Sequence, residues 1–194
     1  MIVDLLRHGE PEGGQRYRGH GCDDPLSARG WSQMERAVRD EEEWQYVVSS
    51  PMLRCRGFAE RFAARQGLPV TLEPDLREVG FGEWEGRTRV ELQRDRPEEY
   101  RAFYADPVHA RPAGAEPLAA FRRRVEAGFD VALQPLQAER VLVVVHAGVI
   151  RALVGRVMGV PDERLFQLEC EYASRTRLHR HPTRGWRLIH ANRV

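Results

Sequence analysis

Little in the sequence would take it outside the ordinary run of folded chains. No apolar stretch approaches the roughly 20 residues of a membrane span. The N-terminus lacks a basic region followed by a long apolar run, so no membrane partner and a cytoplasmic location are expected. Cysteine is scarce: Cys22, Cys55 and Cys170 are odd in number and lack C-x-x-C spacing, which predicts free thiols in place of a disulfide framework or structural zinc site. Charge of one sign is also missing, since 30 basic residues stand against 29 acidic ones for a net charge of +1. That balance argues against a dedicated nucleic-acid surface, although the basic residues are arginines and can still cluster locally. There is no internal repeat, no low-complexity segment, no Walker phosphate loop and no carboxylate cluster suited to magnesium. No cofactor and no metal are therefore expected. With 42% hydrophobic and 30% charged residues over 194 positions, one domain covering 1–194 with a sizeable core is the natural reading.

Apolar strand-length runs alternate with helical patterns along the chain. The first, Ile2-Val3-Asp4-Leu5-Leu6, stops at Arg7-His8-Gly9, the form of a buried parallel strand whose carboxyl end delivers side chains to a crevice. A glycine-rich charged loop over 12–25 leaves it, and Ser27 is an N-cap for a helix over 28–43 with Trp31, Met34 and Val38 inward and a solvated end at 40–43. A strand at 46–49 leads to Ser50 as N-cap and Pro51 as first helical residue, placing Arg54 in the first turn of a helix that runs to Gln66. A third strand, 70–73, precedes a loop with three glycines, two aromatics and three carboxylates, Glu78, Glu83 and Glu85, among which spacing alone does not choose. Helices are predicted at 88–104 and 116–134, the latter with Leu118, Phe121, Val125 and Phe129 on one side and Arg122-Arg123-Arg124 on a solvated face. Between them, 107–117 breaks the pattern with three prolines and a glycine, so 87–117 reads as a lid or specificity segment.

Val141-Leu142-Val143-Val144-Val145 has the composition of a central strand covered on both faces, and it ends at His146, where a helix over 149–157 begins. A histidine there is placed to meet an anion. Strands at 175–179 and 186–191 form a hairpin. His179 and His181 share one of its faces but lack a third ligand, and no metal is assigned to them. These elements predict an α/β fold: a three-layer α/β/α sandwich with a mostly parallel central sheet and an antiparallel edge strand.

Two strand ends thus deliver histidines, one beside an arginine, and a helix start delivers a second arginine. Together they make a cationic cup sized for one phosphoryl group, bound by paired charge-assisted hydrogen bonds from the arginine forks. Without a metal to neutralise the phosphate, a covalent histidine route is favoured.

The segments Leu6-Arg7-His8-Gly9-Glu10, Pro25-Leu26-Ser27-Ala28-Arg29-Gly30, Ser49-Ser50-Pro51-Met52-Leu53-Arg54, Glu78 to Gly86 and His146-Ala147-Gly148-Val149-Ile150-Arg151, in that order, resemble the histidine phosphatase superfamily, which includes phosphoglycerate mutases and small-molecule phosphatases. Phe-Gly-x-Trp-Glu-Gly, the short length and Pro112-Ala113-Gly114-Ala115-Glu116 look most like the α-ribazole phosphatases of cobalamin biosynthesis. The resemblance implies that His8 is the nucleophile, that Arg7, Arg54 and His146 hold the phosphoryl oxygens, and that Glu78 is the general acid, leaving Glu83 and Glu85 structural. The implied substrate is a small-molecule phosphate ester, α-ribazole 5′-phosphate or its cobamide counterpart. A broad phosphatase for sugar phosphates or nucleotides is the alternative, ahead of a mutase or a non-catalytic binding protein. The chain departs from the family in having Pro11 where many relatives carry Thr and Gly14 where they carry a phosphate-binding Asn. Arg18, in place of a small hydroxyl residue, is expected to take over some of that contact. The sequence leaves the oligomeric state open, a dimer included.

Overall fold

The structure, a computed structural model, describes residues 1–39 and 43–194. Six strands form one sheet in the order β3-β2-β4-β1-β5-β6: β1 is Ile2–Arg7, β2 Tyr46–Ser49, β3 Val70–Leu72, β4 Arg140–Val145, β5 Arg175–His181 and β6 Gly185–Arg193. The first four in that order run parallel, and β5 pairs antiparallel with both β1 and β6, so the antiparallel edge is a two-strand hairpin. The helices are α1 (Ala28–Ala37), α2 (Leu53–Gln66), α3 (Arg89–Asp95), α4 (Pro97–Ala105), α5 (Leu118–Leu133) and α6 (Ala147–Met158).

The two-residue period of the central strands divides the core. Val3 and Leu5 of β1 and Val141, Val143 and Val145 of β4 join Phe121, Val125 and Ile150 in one cluster. Leu6, Leu142 and Val144 point the other way and join Met34, Phe58 and Phe62 in a second. The sheet is therefore a double-faced middle layer, with α5 and α6 against one face and α1 and α2 against the other. Each such fully buried aliphatic side chain contributes about 1.5–3 kcal/mol. Asp4, in the same apolar run, is 1% exposed. It is sustained there by Trp44 Nε1 at 2.9 Å and a two-pronged bond from Arg177 at 2.8 and 3.0 Å, as a buried carboxylate requires.

Several boundaries differ from the sequence reading, each for a local reason. Helix α1 ends at Ala37 and Glu43 is not helical, while residues 40–42 of the expected solvated end lie outside the described residues. Four consecutive acids suit the carboxyl end of a helix poorly, because its dipole is negative there. Helix α2 starts at Leu53, with Met52 as N-cap, two residues later than Ser50-Pro51 suggested. The Ser50 hydroxyl is shared between the His146 ring at 2.8 Å and a longer bond from the Met52 N–H at 3.4 Å, and Asp23 Oδ1 from the 12–25 loop accepts the Leu53 N–H at 2.7 Å. The helix expected at 88–104 is two helices, because Pro97 cannot extend α3 and biases Arg96 out of the helical region. Only Arg123 of the arginine triplet is exposed; Arg122 pairs with Glu126 and Asp162, and Arg124 is drawn into the loop that carries Glu78. Among the described residues no helix is long and apolar enough to cross a membrane. The same residues contain no cluster of three His, Cys, Asp or Glu that could hold a metal ion.

Candidate active site

Parallel strands β1, β2 and β4 end at the same edge, so their carboxyl ends converge. Arg7 closes β1 and His8 follows it. The chain must then turn away under α1, and it does so through two glycines packed back to back. A Cβ on Gly9 would stand 2.3 Å from the Gly30 carbonyl oxygen, and one on Gly30 would stand 2.1 Å from that of Glu10. Ser27 caps α1 and also donates to the Glu10 carbonyl at 2.9 Å, fixing this crossing. The pair explains why Arg-His-Gly and Ala-Arg-Gly occur together.

His8 is 5% exposed, and its Nδ1 lies 2.7 Å from the Gly9 carbonyl oxygen. A carbonyl only accepts, so Nδ1 carries the proton and Nε2 keeps its lone pair. Burial, with Arg54 and Arg7 nearby, pushes the His8 pKa well below the ordinary histidine value. The ring is neutral at pH 7. His146, the N-cap residue of α6, is fully buried with its ring centroid 5.2 Å from that of His8. Burial and Arg54 lower its pKa well below the ordinary value as well. Its Nε2 is 2.8 Å from the Ser50 hydroxyl.

Arg54 stands in the first turn of α2, 1% exposed, donating to the carbonyls of Cys22 at 2.9 Å and Gly19 at 2.8 Å. Arg7 donates through Nη1 to the Cys170 carbonyl, and its guanidinium lies 4.1 Å from the centroid of Tyr172. Burial depresses the Arg7 pKa. The Nε atoms of Arg7 and Arg54 are both buried without a hydrogen-bond partner, a state native structures rarely leave uncompensated. Arg18, also buried, is anchored by Asp24 at 2.8 Å and the Glu12 carbonyl at 2.5 Å.

The carboxylate of Glu78 comes from the irregular segment after β3. It accepts the Val79 N–H at 3.0 Å and the Gly148 N–H, in the first turn of α6, at 3.2 Å. A Cβ on Gly148 would come within 2.2 Å of Glu78 Oε1, so only glycine lets this carboxylate reach the helix start. The other two acids of the loop go elsewhere: Glu85 accepts the Phe81 N–H at 2.9 Å beneath Gly19 and Gly21, and Glu83 pairs at the surface with Arg96.

These groups line a cleft of about 460 Å³. Arg7, His8, Arg18, Arg54 and Glu78 form its wall, and the buried His146 adjoins it, its ring edge-on to that of His8. The outer part of the cleft is lined by Arg16, Arg89 and Arg151, by Tyr17, Phe81, Tyr104 and Phe166, and by the acids Glu169 and Glu171. All six expected site residues are thus brought together. Ser50 and Tyr172 were not anticipated. Ser50 had a signal that the capping reading used up, a hydroxyl at the end of the strand beside β4. Tyr172 had none, since it is placed by an irregular turn in which Ala173 takes a left-handed conformation, φ 58°. The family's Asn position, Gly14, has φ 71° and donates to the Pro11 carbonyl at 3.2 Å. Chemically, a neutral imidazole with one free lone pair beside the guanidiniums of Arg7, Arg18 and Arg54 suits attack on a bound oxyanion.

Comparison with known proteins gives the family. The model of the histidine phosphatase superfamily, branch 1, matches residues 3–193. The adenosylcobalamin/alpha-ribazole phosphatase of Escherichia coli is 33% identical over 176 residues, covering 88% of this chain and 86% of its own length. The crystal structure of the alpha-ribazole phosphatase from Shigella flexneri superposes with a TM-score of 0.84 at 29% identity, covering 99% of this chain and 96% of its own. A mycobacterial glucosyl-3-phosphoglycerate phosphatase complexed with VO3 superposes at 0.86 with 28% identity, covering 100% of this chain and 99% of its own.

Proposed function

The chain belongs to the histidine phosphatase superfamily and is a phosphatase acting on small phosphate esters, and on that premise we propose how its residues divide the work and which ester it takes. His8 Nε2 attacks phosphorus, forming an N–P bond as the ester P–O bond breaks. Glu78 gives its proton to the departing oxygen, then as carboxylate takes a proton from the water that attacks phosphorus and breaks the N–P bond. Arg7, Arg54, Arg18 and His146 hold the phosphoryl oxygens and balance their charge, where most of the catalysis of phosphoryl transfer resides. Ser50 holds His146 through Nε2, and with its hydroxyl proton given to Nε2 the Nδ1–H is left as the donor to a phosphoryl oxygen.

The observation that carries this reading is a buried neutral His8, its Nδ1 committed to Gly9, beside two guanidiniums each with a buried Nε lacking an acceptor. A phosphoryl group supplies the electrophile for one and acceptors for the others.

The preferred ester is α-ribazole 5′-phosphate, or adenosylcobalamin 5′-phosphate. Two observations support it: the relatives that carry the former's name, and the aromatic lining of the outer cleft by Tyr17, Phe81, Tyr104 and Phe166, which suits a ribosyl-linked aromatic base. Residues 87–117, which contribute Arg89 and Tyr104 to that lining, are the specificity segment. The test is kcat/KM for phosphate release from α-ribazole 5′-phosphate beside p-nitrophenyl phosphate, 3-phosphoglycerate and AMP, with chelator present. A preference of roughly a hundredfold, beyond what one apolar group supplies, is expected. A flat profile would overturn the substrate and leave a broad phosphatase, and loss of all activity to chelator would overturn the covalent route.

A further inference from the structure

Glu78, the proposed general acid, neither ends a strand nor sits on a long helix. It lies between two short 3₁₀ turns, Pro74–Leu76 and Gly82–Trp84, in a segment with no ladder of its own. Something else must hold it, and the hydrogen bonds say what. Arg124, one turn and a half into α5, gives three of its five N–H groups to this segment. Its Nη1 donates to the carbonyls of Asp75 at 2.7 Å and Arg77 at 2.9 Å, and its Nη2 donates to that of Glu78 itself at 3.0 Å. The two remaining donors go to Glu116, Nε to Oε1 at 2.7 Å and Nη2 to Oε2 at 2.8 Å. All five N–H groups of the guanidinium are used, a fork no lysine can reproduce.

Glu116 closes the other side. Its Oε2 accepts the Gly80 N–H at 3.2 Å, and its own N–H donates to the Gly80 carbonyl at 3.1 Å. The pair is about 15% exposed on both sides, buried enough for the geometry to be kept. The guanidinium also stands 4.9 Å from the Phe121 ring centroid, one turn back on the same helix. Helix α5 lies so close here that a Cβ on Gly128 would meet Asp75 Cβ at 2.6 Å. Residues 75–80 are therefore gripped from both sides of Glu78 by one ion pair, Arg124 on α5 and Glu116 just before its N-cap Pro117.

We propose that Arg124 and Glu116 are positioning residues for catalysis: their ion pair sets where the Glu78 carboxylate stands relative to the leaving oxygen. The inference rests on the reading of Glu78 as general acid. It predicts a loss that depends on the leaving group, because an alkoxide needs a proton on departure whereas p-nitrophenolate leaves without one. The parameter to read is kcat/KM, which ends at the first irreversible step and is blind to hydrolysis of phosphohistidine.

The experiment measures kcat/KM of Glu78→Gln, Arg124→Lys and Glu116→Gln on ribose 5-phosphate and on p-nitrophenyl phosphate, with circular dichroism confirming the fold. For Arg124→Lys, a loss of about 30- to 100-fold on the alkyl ester is expected, the scale of a catalytic group displaced by roughly 1 Å. Less than about threefold is expected on the aryl ester, with Glu116→Gln showing the same pattern more weakly. An equal loss on both esters, or none, overturns the positioning role while Glu78→Gln keeps its leaving-group dependence. If Glu78→Gln itself shows no such dependence, the general-acid reading falls, and the positioning role falls with it. Should Arg124→Lys not fold, Glu116→Gln carries the test alone, since it keeps the shape of the side chain.

Discussion

The two halves of the site are held in different ways. Arg7, His8 and His146 stand at the ends of strands paired on both sides within the sheet, and His8 needs only the next carbonyl to fix its tautomer. Glu78 and the outer cleft hang on side chains: an arginine gathering carbonyls, a glutamate under two glycines, tyrosines meeting hydroxyl to hydroxyl. The strand-end half is over-determined by the fold, and the loop half is determined by a few contacts that single substitutions can remove. We read the first as fixing the reaction and the second as fixing its efficiency and its substrate.

The largest effect expected separates them at once. His8→Ala removes the nucleophile from the over-determined half, so phosphate release should fall by about 10⁴-fold or more with the fold retained. Rapid-quench trapping of acid-labile phosphoprotein should show none in the variant. Unchanged turnover would mean that the strand ends do not carry the chemistry.

A second substitution strikes where the halves touch. Gly148→Ala places a methyl group within 2.2 Å of Glu78 Oε1. In the interior of a helix the change would stabilise by about 1 kcal/mol. Here kcat/KM should fall about 100-fold, because the carboxylate must leave its place. A variant as active as the parent would show that the contact between the halves carries no function.

The third prediction concerns proton binding in the strand-end half. Because burial and Arg54 depress the pKa values of His8 and His146, both stay neutral in the folded state where the unfolded chain already binds a proton. The unfolded state then holds more protons, so stability rises with pH in this window. It is full above the unfolded histidine pKa of about 6.5 and is lost as pH falls below it, at about 1.4 kcal/mol per pH unit for each histidine. Denaturant titrations at pH 7.5, 6.5 and 5.5 should show this slope, and His8→Asn should lose one histidine's share. Inorganic phosphate should flatten it, since a bound dianion favours protonated rings. An unchanged slope in His8→Asn would place the acid sensitivity elsewhere.

The division also decides what the sequence disclosed. The strand ends were legible because an apolar run that stops on Arg-His-Gly or on His-Ala-Gly has one placement in a parallel sheet, and α/β topology brings such ends together. Arg54 was legible for the same reason, although Ser50 turned out to serve His146 where a cap was expected. The loop half was not legible from spacing: three glutamates lay within eight residues, and only the resemblance to a family chose Glu78. Arg124 was misread as a solvated face, because helical periodicity reports which side of a helix is polar and not whether a neighbouring loop offers carbonyls to it. Tyr172 depends on a left-handed turn at a non-glycine residue, which no pattern announces.

The smallest effect belongs to the outermost contact. Tyr17 and Tyr104 meet through their hydroxyls at 2.6 Å at the mouth of the cleft, and burial with the Tyr104 bond raises the Tyr17 pKa. Tyr104→Phe removes one hydroxyl, costs about 1 kcal/mol at most for a bond at the surface, and leaves His8, Arg54 and Glu78 untouched. The rate on p-nitrophenyl phosphate should therefore stay within about threefold. If the outer half selects the ester, the ratio of kcat/KM for α-ribazole 5′-phosphate to that for p-nitrophenyl phosphate should shift by about three- to tenfold, the range one hydrogen bond supplies. Were both substrates to change together, the tyrosine pair would belong with the groups that fix the reaction, and the boundary between the halves would lie further out than the geometry draws it.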